Sequence, residues 1–192
     1  LFRDSGLPQV EFVSFTRKQW ESNPAQIMKV VAPLPYPVFV KPANLGSSVG
    51  ISKAKNAAEL KNAINEAAAF DSKIVVERGV VNAREIECAV LGNDDPEASV
   101  LGEIIPGREF YDYAAKYLED NSKLLIPSPL PAEQSDKIRK MAIAAYQAVD
   151  GAGMSRVDFL MDGKSGEVFI NEVNTIPGFT SISMYPKMWA AT

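Results

Sequence analysis

Residues 156–174 read RVDFLMDGKSGEVFINEVN, two runs of mixed charged and apolar side chains around the polar turn Asp162-Gly163-Lys164-Ser165-Gly166. Side chains on a strand alternate between faces, so Arg156 and Asp158 share one face and Val157 and Phe159 the other. In the second run Glu172 and Asn174 share a face, while Phe169 and Val173, with Val168 as a further candidate, offer apolar surface. Paired as a hairpin, the runs bring two carboxylates, an amide oxygen and a guanidinium to one side of a sheet. Hard oxygen ligands of that kind suit Mg²⁺ bridging phosphates, and arginine suits developing negative charge. The plain alternative is a polar hairpin face that meets only water.

Two further stretches turn the reading toward nucleotide chemistry. Lys41 is followed by Ala43-Asn44-Leu45-Gly46-Ser47-Ser48-Val49-Gly50, whose glycines and serines let backbone N–H groups and hydroxyls approach an anion. The Gly-x-x-x-x-Gly-Lys-Ser/Thr pattern of the P-loop is absent. Taken singly, the loop reads as a hairpin tip and Lys41 as a solvated strand-end lysine. Side by side they argue for phosphate more strongly than either alone. The second stretch is Phe110-Tyr111-Asp112-Tyr113-Ala114-Ala115-Lys116-Tyr117, a lysine among tyrosines in a long loop. Packing against the body is the default for such a loop, and closing over a site is the functional reading.

Composition removes several alternatives. There is no histidine, so the commonest general base and the commonest metal ligand are missing. Cys88 is the single cysteine, which excludes an intrachain disulfide, and its place in Glu85-Ile86-Glu87-Cys88-Ala89-Val90 reads as a buried small side chain. A net charge of -4 argues against a general nucleic-acid binder. With 46% hydrophobic and 23% charged residues, the 192-residue chain suits one good core or two small lobes. No apolar run approaches the roughly 20 residues of a membrane span and no signal peptide is visible, which fits a cytoplasmic setting. Residues 1–6 read as the last turn of a helix closed by Gly6, and 188–192 as the opening of another, so the sequence reads as a piece of a longer protein.

The elements that must position these groups follow from patterning. A strand is expected over 10–15, a short capped helix through Glu21, and a helical turn or two over 25–31. After the loop punctuated by Pro33, Pro35 and Pro37, a buried strand over 37–42 carries Lys41, with 51–54 as its hairpin partner. Asn56 caps a helix over 57–70 whose apolar stripe is Leu60, Ala63, Ile64, Ala67 and Ala68. Strands are expected over 73–81, 85–91 and 99–105, an extended stretch over 123–130, and a second helix over 131–150. The stretch 175–184 reads as a loop with hydroxyl groups that offer donors to a carboxylate.

Four segments, VKPANLGSSVGISK, REFYDYAAKY, SRVDFLMD and INEVNTIPGFTSIS, stand in the order and combination found in D-alanine–D-alanine ligases of the ATP-grasp superfamily. The chain resembles that family over essentially its whole length. The resemblance implies an α+β ATP-grasp fold of two α/β lobes with the nucleotide in the cleft between them. Residues 1–80 would form the small lobe and 81–192 the large one, without the family's amino-terminal domain and final helix. It implies that Lys41 contacts the ATP phosphates beneath the loop carrying Gly46, Ser48 and Val49. Glu77 and Val80 would hold the adenine edge, next to Arg78 where the family usually has lysine, and Glu85 the ribose. Lys116 would reach the transferring phosphate, and Tyr117 and Ser47 would help close the site. Asp158, Glu172 and Asn174 would bind two Mg²⁺ ions, which Mn²⁺ can replace. Arg156 would stabilise the phosphorylated and tetrahedral species, and Ser183 with Gly178 would take the carboxylate of the second D-alanine.

The implied reaction makes D-alanyl-D-alanine for peptidoglycan through an acyl phosphate. Tyr117 after Lys116 favours the dipeptide-forming type over the D-lactate type. A homodimer of the full-length protein, with neither nucleic acid nor membrane as partner, belongs to the same expectation. Three rival readings remain. A glycosidase would use Asp158 and Glu172 as its acid and base but leaves Lys41, the Gly-Ser loop and Arg156 without work. Another ATP-grasp ligase would join different substrates. The isolated stretch, expected to be inactive, would bind ATP without ligation.

Overall fold

The structure, a computed structural model, describes residues 1–46, 48–105 and 123–192. They fall into two compact units, one of Val10–Gly79 and one of Leu1–Gln9 with the described residues from Val80 onward.

In the first unit β1 (Phe12–Thr16), β2 (Val38–Pro42), β3 (Ser52–Ala54) and β4 (Lys73–Arg78) form an antiparallel sheet in the order β1-β4-β2-β3. The helices α1 (Arg17–Ser22), α2 (Pro24–Val31) and α3 (Ala57–Phe70) start where the chain supplies caps. The Thr16 hydroxyl accepts from the Gln19 amide and the Gln19 side chain accepts from the Thr16 amide, a reciprocal capping box. Asn23 caps α2, which opens on Pro24, and Asn56 accepts from the amides of Ala58 and Glu59 at the start of α3. The predicted stripe of α3, Leu60, Ala63, Ile64, Ala67 and Ala68, is buried in one core with Val38, Val40, Ala54, Ile74 and Val76. Each fully buried Leu, Ile or Val of this kind contributes about 1.5–3 kcal/mol. Since strand side chains alternate, Phe39, Lys41, Lys53, Val75 and Glu77 take the other face. Strand β4 ends at Arg78, short of the expected 81. The Gly79 amide donates to the Pro37 carbonyl at 2.8 Å, and a Cβ at Gly79 would stand 2.8 Å from that oxygen.

The second unit holds β5 (Ala83–Gly92), β6 (Glu97–Ile105), β7 (Lys123–Leu125), β8 (Gly153–Asp162) and β9 (Val168–Asn174), antiparallel in the order β7-β6-β5-β8-β9. Helix α4 (Ala132–Ala148) buries Ile138, Met141, Ala142, Ala145 and Tyr146 against Ile86, Cys88, Val90, Val157, Phe159 and Met161. Cys88 is fully buried, and burial pushes its thiol up to about 12, as its sequence setting led us to expect. Helix α5 (Met184–Ala190) lies on the other face of the sheet, where Gly102 leaves room for Met184 and Met188. It begins at Met184 and ends at Ala190, so residues 188–192 close this helix and do not open one.

The first nine residues, expected with the small lobe, belong to the second unit. Leu7 is buried in its core with Phe2 packed alongside, and the Ile170 amide donates to the Pro8 carbonyl at 2.9 Å. The expected helical end is present: Gly6 at φ +71° lets its own amide reach Arg3 O and that of Leu7 reach Phe2 O. Among the described residues no helix is long and apolar enough to cross a membrane.

Candidate active site

The β8–β9 hairpin forms as its sequence predicts, closed by a turn in which Asp162 Oδ1 accepts from the amides of Lys164 and Ser165 at 2.8 and 2.9 Å. Register places Arg156 opposite Asn174 and Asp158 opposite Glu172. A bulge between Asp158 and Phe159 makes this possible. Val168 and Ile170 point into the core opposite Met161 and Phe159, and strict alternation would then send Glu172 and Asn174 inward as well. Asn171 is the extra residue. It shifts the phase, so Val173 packs on the core while Glu172 and Asn174 turn to the face of Asp158. Val168 therefore belongs to the core, whereas Phe169 pairs with Leu160 on the opposite face.

On that face the charges interlock. Arg156 grips Asp158 as a fork, Nε to Oδ1 and Nη2 to Oδ2, both at 2.7 Å. Its Nε also lies 3.1 Å from Glu87 Oε2 on β5, whose backbone pairs with Asp158. The Asn174 amide nitrogen donates to Asp158 Oδ2 at 2.9 Å and to Glu172 Oε1 at 3.5 Å. Burial works against the Arg156 charge, but Asp158, and after it Glu87 and Glu172, outweigh that and hold its pKa above the ordinary arginine value. Glu87 was not singled out in the sequence. The signal was available: two positions after Glu85 on the same strand, it shares Glu85's face.

The first unit carries the other cluster. Lys41 on β2 and Glu77 on β4 are half-buried and form an ion pair across the sheet, with Lys53 Nζ 6.0 Å from the centre of the Phe39 ring beside them. The loop that follows Lys41 is fixed at its base. The Asn44 backbone amide donates to Asp71 Oδ2 at 2.7 Å, and its side-chain nitrogen lies 3.2 and 3.0 Å from the two Asp71 oxygens. The Asn44 amide, before the other donors, brings the Asp71 pKa down to about 2. Ser48 at φ +60° and Gly50 at φ +71° turn the loop, and a Cβ on Gly50 would meet the Phe70 ring at 2.7 Å. Gly46 and Val49 are exposed in this turn, and the Val49 amide donates to Gly46 O at 3.2 Å.

Other expected residues take these positions. Glu85 is half-buried on β5, on the face of Glu87 and opposite Leu160. Arg78 ends β4, its amide donating to the Glu11 carbonyl, and Val80 follows, half-buried. Ser183 Oγ accepts from the Thr180 amide at 3.0 Å, and Gly178 lies so close that a Cβ there would stand 2.9 Å from that oxygen. Ser47, Lys116 and Tyr117 lie outside the described residues.

Among the described residues no group of three or more His, Cys, Asp or Glu side chains is gathered to hold a metal ion. Asp158, Glu172 and Asn174 offer two carboxylates and an amide, too few for a closed protein cage. That set nevertheless suits Mg²⁺, which is commonly bound by one or two carboxylates with phosphate oxygens completing the shell. The Asn174 amide donates to both carboxylates, so a positive partial charge already sits where they converge.

Comparison with known proteins agrees with this architecture. A sequence model of the family described as "D-ala D-ala ligase C-terminus" matches residues 1–192. A D-alanine–D-alanine ligase of Heliobacterium modesticaldum is 58% identical over all of this chain and 52% of its own length. One from Thermoanaerobacter sp. is 56% identical over all of this chain and 53% of its own length. The chain thus spans about half the length of the curated relatives it matches. Among solved structures, the VanG D-Ala:D-Ser ligase of Enterococcus faecalis superposes with a TM-score of 0.86 at 39% identity, over 98% of this chain and 54% of that one. The D-alanine–D-alanine ligase of Coxiella burnetii gives 0.81 at 36% identity, over 99% of this chain and 49% of that one. A match along its entire length shows that the chain belongs to the D-ala D-ala ligase C-terminus family, with an α+β fold of the ATP-grasp type.

Proposed function

We propose that this chain is the nucleotide-binding and catalytic part of a longer D-alanine–D-alanine ligase. The observation that carries the reading is the hairpin face on which Arg156, Asp158, Glu172 and Asn174 converge. Lys41 would bind ATP phosphate beneath the loop of Gly46, Ser48 and Val49. Glu77, Arg78 and Val80 would take the adenine edge, and Glu85 the ribose hydroxyls. Asp158, Glu172 and Asn174 would hold Mg²⁺, for which Mn²⁺ can substitute; when bound, the ions neutralise charge on the phosphate oxygens. A cytoplasmic location and a homodimer belong to the same proposal and rest on the family resemblance.

The chemistry needs no nucleophilic side chain. A carboxylate oxygen of the first D-alanine attacks the γ-phosphorus of ATP and ADP leaves, giving an acyl phosphate. The amine of the second D-alanine attacks the acyl carbon, phosphate leaves, and the nitrogen sheds a proton. Both steps concentrate negative charge on oxygen, so donors fixed in advance contribute most. Arg156 is such a donor. Asp158 occupies its Nε and Nη2, and no partner among the described residues engages Nη1, which leaves that edge for substrate oxygen. Ser183, with Gly178 beside it, would receive the carboxylate of the second amino acid. Lys116, Tyr117 and Ser47 keep the roles implied by the resemblance.

The VanG neighbour is named for D-Ala:D-Ser ligation, which makes D-serine the competing second substrate. The Heliobacterium modesticaldum and Thermoanaerobacter relatives, matched over the whole chain, are named for D-alanine alone. The full-length protein, given ATP, Mg²⁺ and D-alanine, should release ADP and phosphate and form D-alanyl-D-alanine. No D-alanine-dependent phosphate release, or preferential release with D-serine or D-lactate, would overturn this assignment.

A further inference from the structure

Asp158 carries two demands. Both its oxygens are committed to Arg156 at 2.7 Å, and Oδ2 also accepts from Asn174. A carboxylate that turns toward a divalent cation must loosen that grip, and a cation arriving nearby repels the guanidinium as well. Arginine then needs a second anion within a short rotation. Glu87 is placed for it. Its Oε2 is 3.1 Å from the same Nε that now points at Asp158, and it stands on β5, flanked by β6 and β8, where the backbone cannot yield as a loop would. The side chain is only 9% exposed, so its charge is weakly screened.

We propose that Glu87 is a positioning residue that takes over the Arg156 guanidinium when Asp158 turns its oxygens to a divalent cation. The inference rests on the reading of Asp158 as a cation ligand. Arg156 thereby stays aimed in both states, pivoting about Nε between two carboxylates while its Nη1 edge remains available.

The test follows the Arg156 Nε–H resonance by ¹⁵N NMR, assigned by its loss in Arg156→Lys, with Mg²⁺ and ADP as the probe. Mn²⁺ binding is measured in parallel by electron paramagnetic resonance. In the wild-type chain the Nε–H should stay protected from solvent exchange with and without Mg²⁺-ADP. In Glu87→Gln it should stay protected without the cation and exchange about 10-fold faster with it, while Mn²⁺ affinity falls by much less than in Asp158→Asn. Equal protection in the variant with Mg²⁺-ADP would overturn the proposal. So would a loss of Mn²⁺ affinity as large as that of Asp158→Asn, which would make Glu87 a ligand. Asp158→Asn gives an independent arm: Glu87 alone should keep the Nε–H protected, and only the double variant should lose it. Loss in Asp158→Asn alone would overturn the proposal even if Glu87→Gln fails to fold. A wild-type chain with no saturable Mn²⁺ site would instead sink the cation reading, and the Asp158→Asn arm would still decide whether Glu87 anchors Arg156.

Discussion

The two charged faces differ in sign as well as in place. The first unit sets Lys41 and Lys53, on the two strands that flank the glycine- and serine-bearing loop, near Glu77, two lysines to one carboxylate. The second sets Arg156 against Asp158, Glu87 and Glu172, an excess of negative charge around one guanidinium. A lysine beside donors is suited to hold anionic phosphate, whereas surplus carboxylate is suited to hold a cation. The two clusters of opposite balance thus stand on separate sheets, each with its own hydrophobic core, and under the proposed function one would serve phosphate and the other a cation.

Substitutions put that contrast to the test. The largest effect is expected on the acidic face: Asp158→Asn or Glu172→Gln in the full-length protein should lower turnover by about 10²–10³-fold or more. Unchanged turnover at saturating Mg²⁺ would remove the cation-holding half. Next is the independence of the cores. Ile64→Ala, at a fully buried position of α3, should cost about 2–5 kcal/mol and lower amide-exchange protection in Val10–Gly79. Equal loss of protection in β5 and β8 would merge the two cores into one.

Lys41→Ala should weaken nucleotide binding by about 1.5–3 kcal/mol, the worth of a hydrogen bond to a charged group, as read by calorimetric titration. A change in turnover without a change in affinity would assign the lysine to the acidic face's task. The smallest effect is at the loop base. Asp71 has a folded pKa of about 2 against a reference of 3.8, so its stabilisation is complete above that reference and fades as pH falls toward 2. The protection factor of the Asn44 amide, taken against the intrinsic exchange rate at each pH, should therefore fall between pH 4 and 2 in the wild type and be already lowered at pH 7 in Asp71→Asn. A flat wild-type profile would mean the clamp does not hold the loop.

Much of this was legible in the sequence because local signals agreed. Asn56 and the spacing of Leu60, Ile64 and Ala67 gave α3 its bounds, and alternation gave the β8 face directly. Other features were not legible, for physical reasons. The β9 pattern is ambiguous because Ile170 and Val173 lie three apart, a spacing no regular strand can bury on one side. The face of Glu87 could be read from Glu85, but its partner could not, since only register across β5 and β8 brings it to Arg156. Residues 1–9 gave no sign of their neighbours, because a contact between Pro8 and Ile170 has no local signature.

That contact has a consequence for self-association. Strand β9 is an outer strand of its sheet, and an open outer strand is a template on which a second chain can add itself. The Pro8 carbonyl accepts from the Ile170 amide of this strand, and Phe2 and Leu7 fasten the covering segment into the core below. A variant beginning at Val10 should expose the strand that bears Glu172 and Asn174 and aggregate with rising concentration, as light scattering would register. On that outcome, the segment before Val10 would be what keeps the hairpin from pairing with the wrong molecule.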